Sequence, residues 1–205
     1  SAEFNQFLFD RQWRDLKEYA SRHEVEIIGD LPIYVAEDSA DTWSHPELFM
    51  LDENRRPTEV AGVPPDAFSA EGQLWGNPIY NWAKHKETRY AWWVRRLEKA
   101  VERHDLVRID HFRGFAGYYS VPGGSVNAIG GEWKKGPGMD LFRTLKEHIS
   151  TEALIAEDLG VLDESVRNLL EGTGLPGMKV LLFGFDGDDS EYLCHNYTYN
   201  SVAYI

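Results

Sequence analysis

The stretch LVRIDHFRGF, Leu106–Phe115, joins four residues of strand character to an acid, a histidine and a glycine. Side chains alternate between the two faces of a strand, so Arg108 and Asp110 share one face. A cation on the same face lowers the pKa of a carboxylate. Asp110 is therefore predicted to be ionised at the end of a buried strand. There it could be a nucleophile, a metal ligand or one half of a structural ion pair.

Acids follow other strand-like segments in the same way. Val25–Ile28 predicts a short buried strand, whose pairing should end near Asp30 because Pro32 has no N–H to donate. The apolar run ALIA ends in Glu157 and Asp158. The sequence thus predicts acids at the carboxyl ends of successive strands.

Segments of helical periodicity alternate with these strands, and this alternation predicts an α/β fold with a parallel sheet. The predicted helices are Phe4–Arg22, Ala83–His104, Met139–Ile149 and Glu164–Leu170 (with Asp163 as N-cap), and further strands are predicted at Met178–Phe183 and Ser201–Ile205. The carboxyl ends of parallel strands carry the catalytic groups of a (β/α)8 barrel and the ligands of open α/β sheets. No G-x-G-x-x-G fingerprint follows any predicted strand, which argues against dinucleotide binding.

Two long segments are predicted as loops. Ala36–Trp82 is rich in proline and glycine and has little periodicity, and Gly114–Gly138 is rich in glycine. A loop as long as the first is usually functional or disordered, and its aromatic, Asn and Gln residues favour an ordered functional loop. Within it, Trp75 suits a substrate platform as well as a core anchor.

Charge and cysteine content restrict the function. The formal net charge of −13 argues against nucleic acid or an anionic membrane as a partner. The single Cys194 forms no internal disulfide, which suits a reducing compartment and predicts a cytoplasmic location. The chain starts without Met inside a predicted helix and stops after a strand-like run, which indicates a fragment.

Asp110 and Glu157 differ in their surroundings. Arg108 lies beside Asp110, whereas Glu157 follows an apolar run that should desolvate it and raise its pKa. Two acids whose pKa values are pushed apart suit a nucleophile and an acid/base, as in a retaining glycosidase mechanism. The alternative is that Glu157 and Asp158 only cap or pair with nearby cations.

His111 allows two interpretations. It could hydrogen-bond a sugar hydroxyl, or it could complete an oxygen-rich metal site with Asp30, Asp110 and Asp158. The histidines are scattered without H-x-x-x-H or H-x-H spacing, which argues against a metal.

Motifs spread over nearly the whole chain carry a family resemblance. They are GDLPIYVA (Gly29–Ala36), AGVPPDAFS (Ala61–Ser69), GQLWGNPIYNW (Gly72–Trp82), RIDHFRGF (Arg108–Phe115), IAEDLG (Ile155–Gly160), GLPGMKVL (Gly174–Leu181) and NSVAY (Asn200–Tyr204). In this order they resemble the 4-alpha-glucanotransferases of glycoside hydrolase family 77.

The resemblance implies a partial (β/α)8 TIM barrel of the alpha-amylase superfamily, about strands 3 to 7 with their helices. Residues 1–205 would form one fragment of the catalytic barrel, with a substrate loop inserted at about 36–82. The implied reaction transfers an alpha-1,4-glucan segment from a maltodextrin donor to glucose or a maltodextrin acceptor. It retains configuration and needs no cofactor and no metal.

The resemblance also assigns roles. Asp110 is the expected nucleophile, and Glu157 is the expected acid/base. Other residues are expected to bind substrate: Asp30, Arg108 and His111 at the cleavage point, Asp66, Ser69, Gln73 and Trp75 in the acceptor loop, and in addition Tyr34 and Asp158.

Two departures from the family pattern matter. The family continues NSVAY with T-G-T-H-D, whose Asp is a third catalytic carboxylate, so this residue is expected beyond Ile205. The fragment alone is therefore expected to show little activity. Ala67 stands where some relatives have an aromatic residue, which weakens the expected sugar contact of that loop.

Other functions stay open at this stage. They are a hydrolase of the same superfamily, a non-catalytic maltodextrin-binding fragment, and a metal-dependent hydrolase that uses Asp30, Asp110 and His111. Unpaired strand edges invite pairing with another copy, so self-association through Ser201–Ile205 is a further hypothesis.

Overall fold

The computed structural model describes residues 1–67, 69–160, 162–186 and 190–205. The helices are α1 Ala2–Arg22, α2 Ala40–Ser44, α3 Trp82–Glu87, α4 Ala91–Arg103, α5 Met139–Lys146 and α6 Glu164–Thr173. The strands are β1 Ile28–Leu31, β2 Glu59–Val63, β3 Gln73–Pro78, β4 Leu106–Ile109, β5 Gly117–Pro122, β6 Glu132–Lys135, β7 Leu154–Ala156, β8 Gly177–Val180 and β9 Ser201–Tyr204. Short 3-10 helices include Phe112–Phe115, directly after β4, and Leu181–Asp186, directly after β8.

The parallel strands follow one another in chain order. β1, β4 and β7 form a three-stranded parallel sheet, and β8 pairs with β9 in parallel. The N–H of Ala156 donates to the carbonyl of Pro176 over 2.9 Å, which joins the end of β7 to the start of β8. A doubly wound open sheet reverses its strand order, whereas a (β/α)8 barrel keeps it. The predicted α/β fold is confirmed, and the described strands form a partial barrel.

The two faces of this sheet have different surroundings. Val107 and Ile109 of β4 are each 1% exposed and belong to the hydrophobic core. Arg108 lies between them on the other face, in register with Asp30 of β1. Strand alternation thus leaves the charged side chains on the face opposite Val107 and Ile109.

A four-stranded antiparallel sheet, in the order β3-β2-β5-β6, was not predicted. β2 and β3 lie within Ala36–Trp82, and β5 and β6 lie within Gly114–Gly138, so the prediction that these two segments are plain loops was wrong. The central pairing, of β2 with β5, joins residues that are distant in sequence, such as Ala61 and Ser120, so no local pattern marks it.

Two predicted strand bounds were also wrong. Val25 belongs to the turn that ends α1, because its N–H donates to the carbonyl of Ala20 and Glu24 has a φ of +58°. β1 therefore starts at Ile28, which is 56% exposed rather than buried. The predicted strand Met178–Phe183 is replaced after Val180 by a 3-10 helix.

The predicted helix Ala83–His104 is two helices, α3 and α4. The backbone at Arg89 and Tyr90 adopts positive φ angles of 50° and 55°, which a continuous helix does not allow. The Tyr90 hydroxyl donates to a carboxylate oxygen of Asp140 over 2.9 Å and so ties this corner to α5. In the described parts of the chain, no helix is long and apolar enough to cross a membrane.

The predicted N-cap of α6 is confirmed. One carboxylate oxygen of Asp163 accepts hydrogen bonds from the backbone N–H groups of Ser165 (2.9 Å) and Val166 (3.2 Å).

Replacing Asp163 by alanine should lower the free energy of unfolding by about 1 kcal/mol, whereas asparagine should cost less because it also caps helices. The Ser165 hydroxyl bond lowers the pKa of Asp163, so the loss should shrink as the pH falls through the ordinary carboxyl range. Urea denaturation at two pH values checks this prediction, and equal stability of wild type and Asp163→Ala at neutral pH would contradict it.

Candidate active site

One guanidinium joins two carboxylates at the carboxyl ends of β1 and β4. Nη1 of Arg108 lies 2.5 Å from an oxygen of Asp30 and 3.0 Å from an oxygen of Asp110. Burial lowers the pKa of Arg108, but interactions with the two carboxylates outweigh burial, and the net shift is upward. Arg108 therefore stays charged and orients both acids.

Glu157 lies at the end of β7, and hydrogen bonds hold both of its carboxylate oxygens. Oε2 accepts from the backbone N–H of His111 over 2.8 Å, and Oε1 accepts from that of Leu159 over 2.9 Å. Its own backbone is bound too, because its N–H donates to Ile109 and its carbonyl accepts from Phe112. The carboxyl group of Glu157 is thus oriented by the turn that follows Asp110.

Burial is the largest influence on Glu157 and raises its pKa. The two backbone hydrogen bonds and the charge of Arg108 oppose this shift, while the charge of Asp110 adds to it. A carboxyl oxygen that accepts one hydrogen bond still has a lone pair that can hold a proton. Glu157 therefore has the environment of a proton donor, as the apolar run before it predicts.

The turn after Asp110 depends on the backbone of His111. His111 has φ and ψ of 49°, in the left-handed region that few non-glycine residues adopt, and this conformation accompanies the N–H bond to Glu157. Burial, with a smaller contribution from Arg113, lowers the pKa of the His111 imidazole to about 4. At neutral pH the ring is therefore uncharged and can offer one donor and one acceptor.

Trp75 of the predicted loop contacts His111, and Gln73 and Tyr34 contact Trp75 in turn. The rings of Trp75 and His111 pack edge to face with 4.9 Å between their centroids, and the centroid of the Tyr34 ring lies 6.3 Å from that of Trp75. The Trp75 indole N–H donates to the side-chain oxygen of Gln73 over 3.1 Å, and 38% of Trp75 stays exposed. An oriented aromatic face thus stands beside the carboxylates.

The segment after β1 that carries Tyr34 is fixed by groups from elsewhere in the chain. The Tyr80 hydroxyl donates to the carbonyl of Ile33 over 2.6 Å. Arg96 donates to the carbonyls of Pro32 and Ile33 over 2.6 and 3.2 Å. These bonds satisfy backbone oxygens that Pro32 and the end of β1 would leave without partners.

The remaining predicted residues lie in different settings. Asp66 and Ser69 bond each other in a turn between β2 and β3, with the Ser69 N–H donating to Asp66 over 2.7 Å. Asp158 is 5% exposed, and its carboxylate accepts from the backbone N–H of Met178 over 2.7 Å. That bond links β7 to β8, which favours a structural role for Asp158, and its sugar contact stays a prediction.

A metal site at Asp30, Asp110 and His111 finds no support in the geometry. In residues 1–67, 69–160, 162–186 and 190–205, no group of three or more His, Cys, Asp or Glu side chains could hold a metal ion. Arg108 lies between Asp30 and Asp110, where its charge would oppose a bound cation.

Sequence reasoning missed two parts of the site. The N–H groups that hold Glu157 are backbone atoms of His111 and Leu159, and side-chain identity gives no signal for them. Arg113 was also missed, although it lies two residues after His111, pairs with Asp163 over 3.1 Å and influences the His111 pKa. An arginine inside the RIDHFRGF motif was the available signal.

Comparisons with known proteins identify the family of the chain. A family model described as glycoside hydrolase 77, 4-alpha-glucanotransferase, matches residues 1–205. The chain is 50% identical over 204 residues to a 4-alpha-glucanotransferase of Clostridium butyricum, covering 98% of this chain and 42% of that protein. It is 53% identical over 195 residues to that of Thermus thermophilus, covering 95% of this chain and 39% of that protein. The chain thus spans about two fifths of the length of these relatives.

Solved structures give the same result. An amylomaltase from Streptococcus agalactiae in complex with acarbose superposes with a TM-score of 0.94 at 49% identity, covering 98% of this chain and 41% of that one. The amylomaltase from Corynebacterium glutamicum shares the fold, with a TM-score of 0.82 at 21% identity, 97% of this chain and 28% of that one being covered. The chain therefore belongs to glycoside hydrolase family 77, the 4-alpha-glucanotransferases.

Proposed function

We propose that the protein that contains this chain transfers alpha-1,4-glucan segments between maltodextrins, with Asp110 as nucleophile and Glu157 as acid/base. The observation that carries the proposal is that two acids follow neighbouring strands, β4 and β7, and have different surroundings. Arg108 contacts Asp110, while burial and two backbone N–H groups hold Glu157. Carboxyl groups in such contrasting environments divide nucleophilic and proton-transfer roles between them.

In the first step Asp110 attacks the anomeric carbon of the donor. A bond forms between that carbon and a carboxylate oxygen of Asp110, and the bond to the leaving oxygen breaks. Glu157 gives its proton to the leaving oxygen, which receives the electron pair of the broken bond. The raised pKa of Glu157 favours the protonated form that this step needs. The carboxylate of Asp110 lies beside the guanidinium of Arg108 instead.

In the second step an acceptor hydroxyl attacks the glycosyl-enzyme. Glu157, now a carboxylate, takes the hydroxyl proton, the new glycosidic bond forms, and Asp110 leaves as a carboxylate. Two displacements retain the configuration of the anomeric carbon. Asp30, Arg108 and the uncharged His111 are proposed to bind the sugar at the cleavage point, since Arg108 contacts both Asp30 and Asp110 and His111 directly follows Asp110.

The proposed acceptor is a sugar rather than water. Trp75 presents a partly exposed aromatic face beside His111, and Gln73 fixes its orientation. Tyr34 supports Trp75, and Asp66 and Ser69 lie in the same β2–β3 segment. The similar amylomaltase that was solved with acarbose supports an alpha-glucan as the ligand class for this site.

Product analysis separates transfer from the alternatives. The protein is incubated with maltotriose, and the proposal predicts glucose plus longer maltodextrins while the number of reducing ends stays constant. A steady rise in reducing ends would instead identify a hydrolase. Binding of maltotriose without products would identify a binding protein. Loss of activity after exhaustive chelation would contradict the proposal that no metal takes part.

Two further proposals concern the protein in the cell. We place the reaction in the cytoplasm because of the single cysteine, and organelle fractionation would test this. Self-association through the Ser201–Ile205 edge stays a prediction, and an elution volume that does not change with concentration would count against it.

A further inference from the structure

Trp133 of β6 is an aromatic side chain outside the site described above. It is 48% exposed, so about half of it is open to solvent. The guanidinium carbon of Arg113 lies over its ring, 4.2 Å from the centroid. The ring of Tyr119 meets Trp133 edge to face, with 5.4 Å between centroids and an interplanar angle of 66°. These two contacts orient the indole while leaving part of it exposed.

Arg113, which contacts Trp133, is itself fixed by an ion pair. Arg113 pairs with Asp163 over 3.1 Å, and the other carboxylate oxygen of Asp163 caps α6. The Arg113 side chain is only 16% exposed, so its guanidinium has little room to move. Asp163 lies six residues after Glu157, in the segment that leaves β7. Trp133 is thus linked through Arg113 to the segment that follows the proposed acid/base.

The strand that carries Trp133 is also bound to the turn that carries His111. Directly after β6, the N–H of Gly136 donates to the carbonyl of Ala116 over 2.9 Å. A Cβ at Gly136 would lie 2.2 Å from the carbonyl oxygen of Phe115, so the two backbones approach as closely as glycine allows. This close approach fixes the position of Trp133 relative to His111.

We infer that Trp133 is a stacking platform for a glucose unit of the glucan chain, away from the cleavage point. This inference rests on the proposed function, because it takes an alpha-1,4-glucan as the ligand. The axial C–H groups of a glucose ring form an apolar face that packs on an indole, and its hydroxyl groups stay in water. A ring already oriented by Arg113 and Tyr119 loses little freedom when the sugar binds, which favours affinity.

A structural function for Trp133 makes a different prediction. If the indole only anchors Arg113, its removal disturbs Arg113 and His111, and substrates of every length are affected alike. If it binds a distant glucose unit, only chains long enough to reach it are affected. The dependence of activity on chain length therefore separates the two functions.

The experiment compares kcat/KM for maltotriose and maltoheptaose in wild type and Trp133→Ala. For maltoheptaose we expect kcat/KM to fall about five- to tenfold, which corresponds to the free energy of one aromatic contact. For maltotriose we expect kcat/KM to change less than twofold. Trp133→Phe should restore most of the loss because it keeps an aromatic face. Trp43→Ala is the matched control, since Trp43 on α2 is 75% exposed, and it should leave both values unchanged.

Equal losses for both substrates, or no loss for either, would overturn the inference. Calorimetric titration with maltoheptaose separates this failure from failure of the proposed function. A wild-type protein that binds maltoheptaose without transferring it would refute the transfer reaction. In that case, a five- to tenfold weaker binding of maltoheptaose by Trp133→Ala would still support the stacking function of Trp133, and an unchanged affinity would refute it.

Discussion

Replacing Asp110 by asparagine should lower the rate of glucan transfer by on the order of 10⁴-fold or more, because it removes the proposed nucleophile. Asparagine has nearly the same shape as aspartate and can still accept a hydrogen bond from Arg108, which lies 3.0 Å from Asp110. The fold should therefore persist, with a circular dichroism spectrum like that of wild type. Initial rates of maltotriose disproportionation measure the loss.

Asp105→Asn provides the matched control. Asp105 precedes the amino end of β4, where its carboxylate accepts the N–H of Ile27 over 2.8 Å, and asparagine can keep that bond. The same change, five residues from Asp110 and outside the site, should leave transfer within about twofold of wild type. Near-normal turnover of Asp110→Asn would show that the nucleophile is assigned to the wrong residue.

Glu157→Gln should reduce transfer of maltodextrins by about 10²- to 10⁴-fold, the usual contribution of an acid/base. Glutamine can still accept the N–H bonds from His111 and Leu159, so its position should change little. What it loses is the proton for the leaving oxygen. Glu152→Gln, an exposed change just before β7, is the control and should keep full activity.

The pH dependence gives a second test of Glu157. A general acid works in its protonated form, and that form is lost as the pH rises through its pKa. Because burial raises the pKa of Glu157, kcat/KM should stay high above the ordinary range of glutamate and then fall. Glu157→Gln should abolish this alkaline fall. A profile with an unchanged alkaline limb in the variant would assign that limb to another group.

The sequence predicted the site through strand periodicity. Apolar residues alternate with Arg108 and Asp110, so a strand ending in an acid follows from local chemistry, and the structure places Asp30 in register beside them. The raised pKa of Glu157 followed from the apolar run before it. Both properties depend on residues that are adjacent in sequence, so a single sequence is enough to predict them.

Other features depend on neighbours in space. The strands β2 and β5 pair across about 60 residues, as in Ala61 with Ser120, and β2, β3 and β5 each contain glycine, which is unusual in strands, so the sequence does not mark this sheet. The left-handed backbone at His111 arises where the turn after β4 meets Glu157. The bond from Met178 to Asp158 likewise requires β7 and β8 to be neighbours. Such contacts follow from the fold and not from residue spacing.

Trapping the covalent intermediate tests the central claim most directly. Glu157→Gln is incubated with alpha-maltosyl fluoride, whose fluoride leaves without a proton donor, while the missing base slows the second step. The account predicts a burst of one fluoride per protein molecule and a maltosyl label on Asp110, located by mass spectrometry of peptides. A label on any other residue would contradict it, and so would the absence of a fluoride burst.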